Sequence, residues 1–391
     1  MNKFLYCDNA ATTKPRDEVI QEVTACMQED YGNSSSLHKL GHKAKAQLDK
    51  ARSFTAKLIN AEPCEIIFTS GGTESNNLAI LGLSNLEGSK KRHIICSPIE
   101  HSSVYRPIKA LEEKGWQVTW LKVNSEGFID LEELNASIGV DTLFVSIMHA
   151  NNEIGSIQDL KAIGEICKNK NVFFHTDAVQ SAGKVSINVR EMNIDLLSIS
   201  GHKIYGPKGV GVLFKNKNLD LPKTILGGSQ ESGLKPGTEN IPGIAGLGRA
   251  IELAMPEMDY EARRLRDMQE IFLKKLAQSA ELKGEIKING TQDLQRRIPG
   301  NINLSFRSIK GDIGVLQMNI QGICCSTGSA CTAASIEPSR VVLQLYPEPE
   351  SFWAHNTLRI SLGKYNTEEE LDIILKALEN IVLNLRKKVA N

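Results

Sequence analysis

The 391-residue sequence has no excess charge of either sign, because 46 Lys plus Arg balance 46 Asp plus Glu. That absence removes the broad positive field that gathers nucleic acid or anionic lipid, so an anion must be held locally by a few groups. Cysteine is present but unpatterned: Cys7, Cys26, Cys64, Cys96, Cys167, Cys324, Cys325 and Cys331 include no CxxC pair. Neither a disulfide framework nor a zinc ribbon fits that scatter, and the usual fate of a free cysteine is a small core hydrophobe. Long apolar runs are also missing. No stretch approaches the roughly 20 residues of a membrane-spanning helix, and the apolar start Phe4-Leu5-Tyr6-Cys7 is cut by Asp8 before it forms a signal-peptide core. The expectation is a cytoplasmic protein with neither a membrane nor a direct nucleic-acid partner.

What is present is a 41% hydrophobic, 24% charged composition, sufficient for a sizeable core. Short β-branched or aromatic runs at 65–69, 93–96, 117–121, 142–148, 172–176 and 196–199 read as buried strands. Between them lie amphipathic stretches such as Leu160 to Lys168, with Leu160, Ile163 and Ile166 at helical spacing. Strand and helix in alternation predict a mostly parallel sheet covered by helices on both faces. Beyond Met258 the pattern changes to a charged helix over 260–277, separated strands at 286–288 and 302–306, and further helices. The expected division is a large α/β domain over 15–258 and a smaller α+β domain formed by 1–14 with 259–391. The last helix has Thr367 and Glu370 at capping-box spacing and Leu371, Ile374, Leu378, Ile381 and Leu385 on one face.

Three clusters follow strands. Ser70-Gly71-Gly72-Thr73-Glu74-Ser75-Asn76-Asn77 offers backbone amides and hydroxyls that can cradle a phosphate, and reads equally as an N-capped helix with a tight turn. Asp177 ends the 172–176 run, where open α/β sheets place ligands; a simple N-cap is its alternative. Lys203, in Ser200-Gly201-His202-Lys203, is either an imine-forming amine or a solvated loop cation. Their order is more informative than any one of them. Pyridoxal phosphate needs amides for its phosphate, an anion for its pyridine nitrogen and an amine for its aldehyde.

With Asp8-Asn9-Ala10-Ala11-Thr12-Thr13, Glu100-His101, His149 to Gly155, Gly237-Thr238-Glu239-Asn240, Ser326 to Cys331 and Leu358-Arg359-Ile360-Ser361 added, the set resembles the NifS-like (group I) cysteine desulfurases end to end. These are pyridoxal 5'-phosphate enzymes of the aspartate-aminotransferase type, fold type I. The resemblance implies that Lys203 carries the cofactor and acts as base, that Asp177 pairs with the ring nitrogen, that Gln180 bonds the ring hydroxyl and that His101 stacks on the ring. It further implies that Thr73, Ser200 and His202 hold the phosphate, that Thr238 reaches in from a partner subunit, and that Arg359, Asn33 and Asn152 bind the substrate carboxylate. Cys331 would take sulfur from L-cysteine as a persulfide, releasing alanine. The enzyme would be a homodimer without a metal and would pass sulfur to an acceptor, an iron-sulfur scaffold or a tRNA-thiolation enzyme. Small residues around Cys331 predict a mobile loop. Ser34 stands where the family usually has proline, and Cys324-Cys325 precede the loop as either buried strand residues or a second sulfur acceptor. Rival readings are a selenocysteine lyase, a small-amino-acid aminotransferase, or a non-catalytic metal or sulfur carrier using Cys324, Cys325 and Cys331.

Overall fold

The computed structural model describes residues 4–86, 88–328 and 338–389, the side chains of 385–389 excepted. Its strands in chain order are β1 (Leu5–Tyr6), β2 (Ile66–Thr69), β3 (His93–Cys96), β4 (Gln117–Trp120), β5 (Thr142–Ser146), β6 (Phe173–Asp177), β7 (Leu196–Ser200), β8 (Gly211–Lys215), β9 (Ile286–Ile288), β10 (Asn301–Phe306), β11 (Ile323–Cys324) and β12 (Thr357–Ser361). The helices are α1 (Asp17–Glu29), α2 (Lys39–Leu58), α3 (Gly72–Ser84), α4 (Ser102–Glu113), α5 (Leu131–Ser137), α6 (Leu160–Asn169), α7 (Ile241–Gln278), α8 (Gly311–Ile320), α9 (Arg340–Leu343) and α10 (Glu370–Val389).

Seven strands form the main sheet in the order β2-β8-β7-β6-β5-β3-β4. All run parallel except β8, which is antiparallel to both β2 and β7. Successive side chains point to opposite faces, so the buried runs divide between two cores. Ile95, Val145, Phe174, Leu197 and Val212 enter one, while Ile94, Phe144, Leu196 and Leu213 enter the other. This is the α/β fold with a mostly parallel, helix-covered sheet expected from the alternation. Its consequence is functional: β2, β3, β5, β6 and β7 present their carboxyl ends along one edge.

A third core joins the end of α7 (Leu265, Met268, Phe272, Leu276), β10, β12 and α10 (Leu371, Ile374, Leu378, Ile381), and it takes in Cys7 from the N-terminal segment. The antiparallel sheet β12-β10-β9 carries it, and β1 pairs parallel with β11 beside it. The expected boundary at 258 falls inside α7, a single 38-residue helix that runs through Pro256. At the start of α10 the Thr367 N–H donates to Glu370 Oε2 at 3.1 Å, so the expected carboxylate contact of the cap is present.

Candidate active site

At the shared strand edge lies a cleft of about 470 Å³, lined among others by Thr73, His101, Asn152, Asp177, Gln180, Ser200, His202, Lys203 and Arg359. Nine of the residues expected from the sequence therefore meet around one space, within the size range of small-molecule sites. Asn33 and Thr238 do not line it. Their segments are tied to each other, because the Ser34 hydroxyl donates to Glu239 Oε2 at 2.9 Å, a bond that a proline there does not make. Cys331 and its loop lie outside the described residues.

Asp177 ends β6 and is buried. Its Oδ1 accepts the Val179 N–H at 2.9 Å and its Oδ2 accepts an amide N–H of Asn76 at 2.8 Å. Among the described residues no lysine or arginine pairs with it. A buried carboxylate supported only by neutral donors suits a cationic partner delivered from the cleft. Asn76 also donates to Ser103 Oγ at 2.8 Å, and that oxygen lies 2.7 Å from His101 Nδ1. His101 is the N-cap of α4, where Nδ1 accepts the Ser103 backbone N–H at 3.2 Å. Neither Asn76, buried in the first turns of α3, nor Ser103 was singled out from the sequence for this part. A polar residue placed by helix-to-strand packing carries no local signal.

Lys203 sits in the short 3-10 turn Gly201–Lys203 after β7, and its Nζ donates to the carbonyls of Ala10 and Ala11, each at 2.6 Å. The solvated-loop reading fails because the N-terminal segment covers it. Gln180 donates to the same Ala10 carbonyl at 2.8 Å. Beside the lysine, His202 bonds Thr12 Oγ1 at 3.1 Å, and burial, then Lys203, Lys208 and Lys184, push its pKa down to about 4. Burial, reinforced by Lys203 and Arg359, also lowers Lys184 to about 7.

A recess of about 420 Å³ adjoins the cleft, lined by Gly71, Gly72, Thr73, Ser200 and His202 at the N-terminus of α3. Gly71 has φ +153°, and a Cβ on Gly211 of β8 would lie 2.6 Å from Gly71 Cα, so backbone replaces side chains where the turn closes. Pyridoxal phosphate fits these residues: the helix N-terminus and hydroxyls for phosphate, the carboxylate with no lysine or arginine partner among the described residues for the ring nitrogen, the amine for the aldehyde.

Arg359 is not the surface cation that its strand position allows; it is 1% exposed. Nη2 reaches Asp8 Oδ1 at 3.0 Å and Ser326 Oγ at 2.7 Å, Nη1 reaches the carbonyls of Asn152 and Gly328, and Nε is buried without a partner. Cys324 is half-buried in β11 and Cys325 is buried, with burial first and Asp8 second pushing the Cys325 thiol to about 12. Such a thiol is a poor nucleophile near neutrality. Among the described residues no cluster of metal-ligating side chains occurs, and no helix is long and apolar enough to cross a membrane.

Fold and site define a pyridoxal-phosphate enzyme of fold type I, and the chain belongs to the aminotransferase class-V family, whose profile matches residues 5–374. Within it, the chain is 45% identical over 387 residues to the cysteine desulfurase IscS of Clostridium botulinum, covering 99% of this chain and 96% of that one. It is 43% identical over 386 residues to the cysteine desulfurase IscS of Dictyoglomus turgidum, with the same coverage. Among solved structures, a NifS-like protein superposes with a TM-score of 0.89 at 36% identity, covering 97% of this chain and 99% of that one. SspA in complex with cysteine superposes with a TM-score of 0.79 at 34% identity, covering 93% and 100%.

Proposed function

We propose that the protein is a cysteine desulfurase: it removes sulfur from L-cysteine, releases L-alanine and carries the sulfur as a persulfide on Cys331. The observation that carries this reading is the Asp177 carboxylate, without a lysine or arginine partner among the described residues, in one cleft with the Lys203 amine. The near full-length likeness to cysteine desulfurases and to a structure containing cysteine supports the substrate.

Bound in the cleft, pyridoxal phosphate supplies an aldehyde for the substrate amine and a protonated ring that accepts charge from the α-carbon. Asp177 would keep the ring proton in place, Gln180 would bond the ring oxygen, and Thr73, Ser200 and His202 would hold the phosphate. Lys203 anchors the cofactor and, once released, takes the α-proton at Nζ. Arg359 and Asn152, which line the cleft, would orient the substrate carboxylate. His101, which lines the same cleft, would stack on the ring face. The Cys331 thiolate attacks the substrate sulfur; the S–S bond forms as the C–S bond breaks, the electron pair left on the β-carbon takes up a proton, and Lys203 returns the α-proton from Nζ to complete alanine. With an ordinary thiol pKa of about 8.5, only a few per cent of this side chain is ionised at neutral pH unless its surroundings help.

The sulfur then passes to an acceptor protein, an iron-sulfur scaffold or a tRNA-thiolation enzyme, in the cytoplasm. The working unit is a homodimer in which Thr238 completes the partner's phosphate site. The chain divides into 15–258, which binds the cofactor, and 1–14 with 259–391, which carries the Cys331 loop; the separate core that includes Cys7 supports that division.

The test is product analysis with L-cysteine. Wild type releases alanine and sulfide without needing a keto acid, and Lys203→Ala lowers turnover by at least about three orders of magnitude, since anchor and base are lost together. Near-normal turnover in that variant refutes the reading, and a keto-acid requirement indicates an aminotransferase.

A further inference from the structure

We propose that Asn76 and Ser103 are positioning residues that join His101 to Asp177 and hold the imidazole neutral, with its proton on Nε2. The inference rests on the placement of Asp177 and His101 in the cofactor site, and it concerns proton positions that this placement leaves open.

The direction of each bond in the chain follows from the one before. Asp177 accepts an N–H at each oxygen, from Val179 and from Asn76. Asn76 must therefore turn its amino group, not its carbonyl, toward the carboxylate. Its second N–H reaches Ser103 Oγ at 2.8 Å. That oxygen, already accepting, spends its one hydrogen on His101 Nδ1 at 2.7 Å. The same nitrogen accepts the Ser103 backbone N–H at the start of α4. Nδ1 is thus an acceptor twice over, and a neutral ring has its proton on Nε2.

A second observation agrees. Asn76 Oδ1 is buried with no hydrogen-bond partner, so the amide is not oriented by its own carbonyl. A buried oxygen left unsatisfied has a cost that the two N–H bonds, one of them to a carboxylate, offset.

Protonating Nδ1 would set it against the Ser103 N–H, reverse the Ser103 hydroxyl and place an imidazolium at the positive end of α4. The chain opposes all three. Facing the same cleft are the acids Asp177, Glu100 and Glu153 and the cations Lys203, Arg106, Arg340 and Arg359. His101 then acts as a neutral Nε2–H donor to negative charge developing on the substrate, comparable to other neutral histidines held at helix N-termini, and not as a cationic acid.

The experiment uses ¹⁵N-histidine-labelled holoenzyme and long-range ¹H–¹⁵N correlation, with the His101 signals identified by their loss in His101→Gln. The expected wild-type result is one neutral tautomer, protonated at Nε2, from about pH 6 to 8. Ser103→Ala is expected to give mixed tautomers and a titration moved toward the ordinary value of about 6.5, with kcat lowered about tenfold and KM within about twofold, the worth of one hydrogen bond. Ser103→Thr keeps the hydroxyl and restores both readouts. Asn76→Ala shifts the tautomer signal in the same direction and alters the pH dependence of the cofactor's visible absorption, because Asp177 loses a donor. An imidazolium or an Nδ1–H ring in the wild type, or a Ser103→Ala enzyme with unchanged tautomer and pH profile, overturns the proposal. Turnover by Lys203→Ala would instead overturn the cofactor reading while leaving the wild-type tautomer signal intact, so the two failures are distinguishable.

Discussion

His149, just after β5, and His175, within β6, are buried, and burial lowers their pKa values to about 4 and about 3. His175 Nδ1 meets Ser146 Oγ at 2.8 Å, while His175 Nε2 and His149 Nδ1 are buried without partners. Neither ring can charge in the folded chain near neutrality, whereas both charge below about 6.5 once unfolded. Above that pH they contribute no penalty. As pH falls toward the folded values the unfolded state binds more protons, and stability declines until the folded pKa is passed. Between pH 7 and 5 the loss is about 2 kcal/mol per histidine. Urea unfolding at the two pH values should show it, and His175→Asn should recover about half of the pair's contribution. Equal pH sensitivity in wild type and variant would contradict the burial argument. At this scale Lys203 and Asp177 were legible in the sequence, because each follows a strand in a chemically specific order. Asn76, Ser103 and the Asp8–Arg359 pair were not: the last joins residues 351 positions apart through the neighbouring paths of β12 and the N-terminal segment.

The strand-to-helix junctions line the cleft, and the β2–α3 turn is one where backbone packs on backbone. It exists because Gly71 adopts φ +153° and because β8 crosses it at Gly211 without a side chain. A Cβ at Gly211 would press on Gly71 Cα at 2.6 Å, on its carbonyl carbon, and on the Ile199 oxygen at 2.7 Å, all backbone. Gly211→Ala therefore displaces the backbone of the β2–α3 turn, the proposed phosphate cradle, rather than a rotamer. Cofactor affinity, measured by equilibrium titration of the visible band, should weaken about tenfold or more; unaltered affinity would mean the turn is not the phosphate cradle. The sequence marked this junction by its two glycines and hydroxyls, and it located most strands to within one or two residues because buried parallel strands read as unbroken β-branched runs. It did not mark β8 at all, and the antiparallel direction of that strand depends on pairing with β2 and β7 together. Nor did it mark the length of α7, since the change of pattern beyond Met258 reads as a domain boundary followed by a separate charged helix over 260–277.

Across the whole molecule, two expected contributors, Asn33 and Thr238, stand apart from the cleft of their own chain. The Ser34–Glu239 bond holds their segments together, and Tyr31 and Leu37, 69% and 92% exposed, flank the first of them. A large apolar side chain left so open beside a binding motif fits a surface that another copy covers. The proposed homodimer should be the active species in sedimentation of the holoenzyme, and Thr238→Ala should weaken phosphate anchoring without changing the mass of the assembly. A fully active monomer would contradict this.

The central claim is sulfur carried on Cys331, and its most direct test is mass spectrometry of peptides from enzyme treated with L-cysteine. The account predicts one added, reductant-labile sulfur on the peptide containing Cys331, and none in Cys331→Ser, because a hydroxyl is a far weaker nucleophile toward sulfur than a thiolate. Buried Cys325, with its thiol raised to about 12, should stay unmodified. A labile sulfur mapped to Cys324 or Cys325, with Cys331→Ser still turning over, would contradict it.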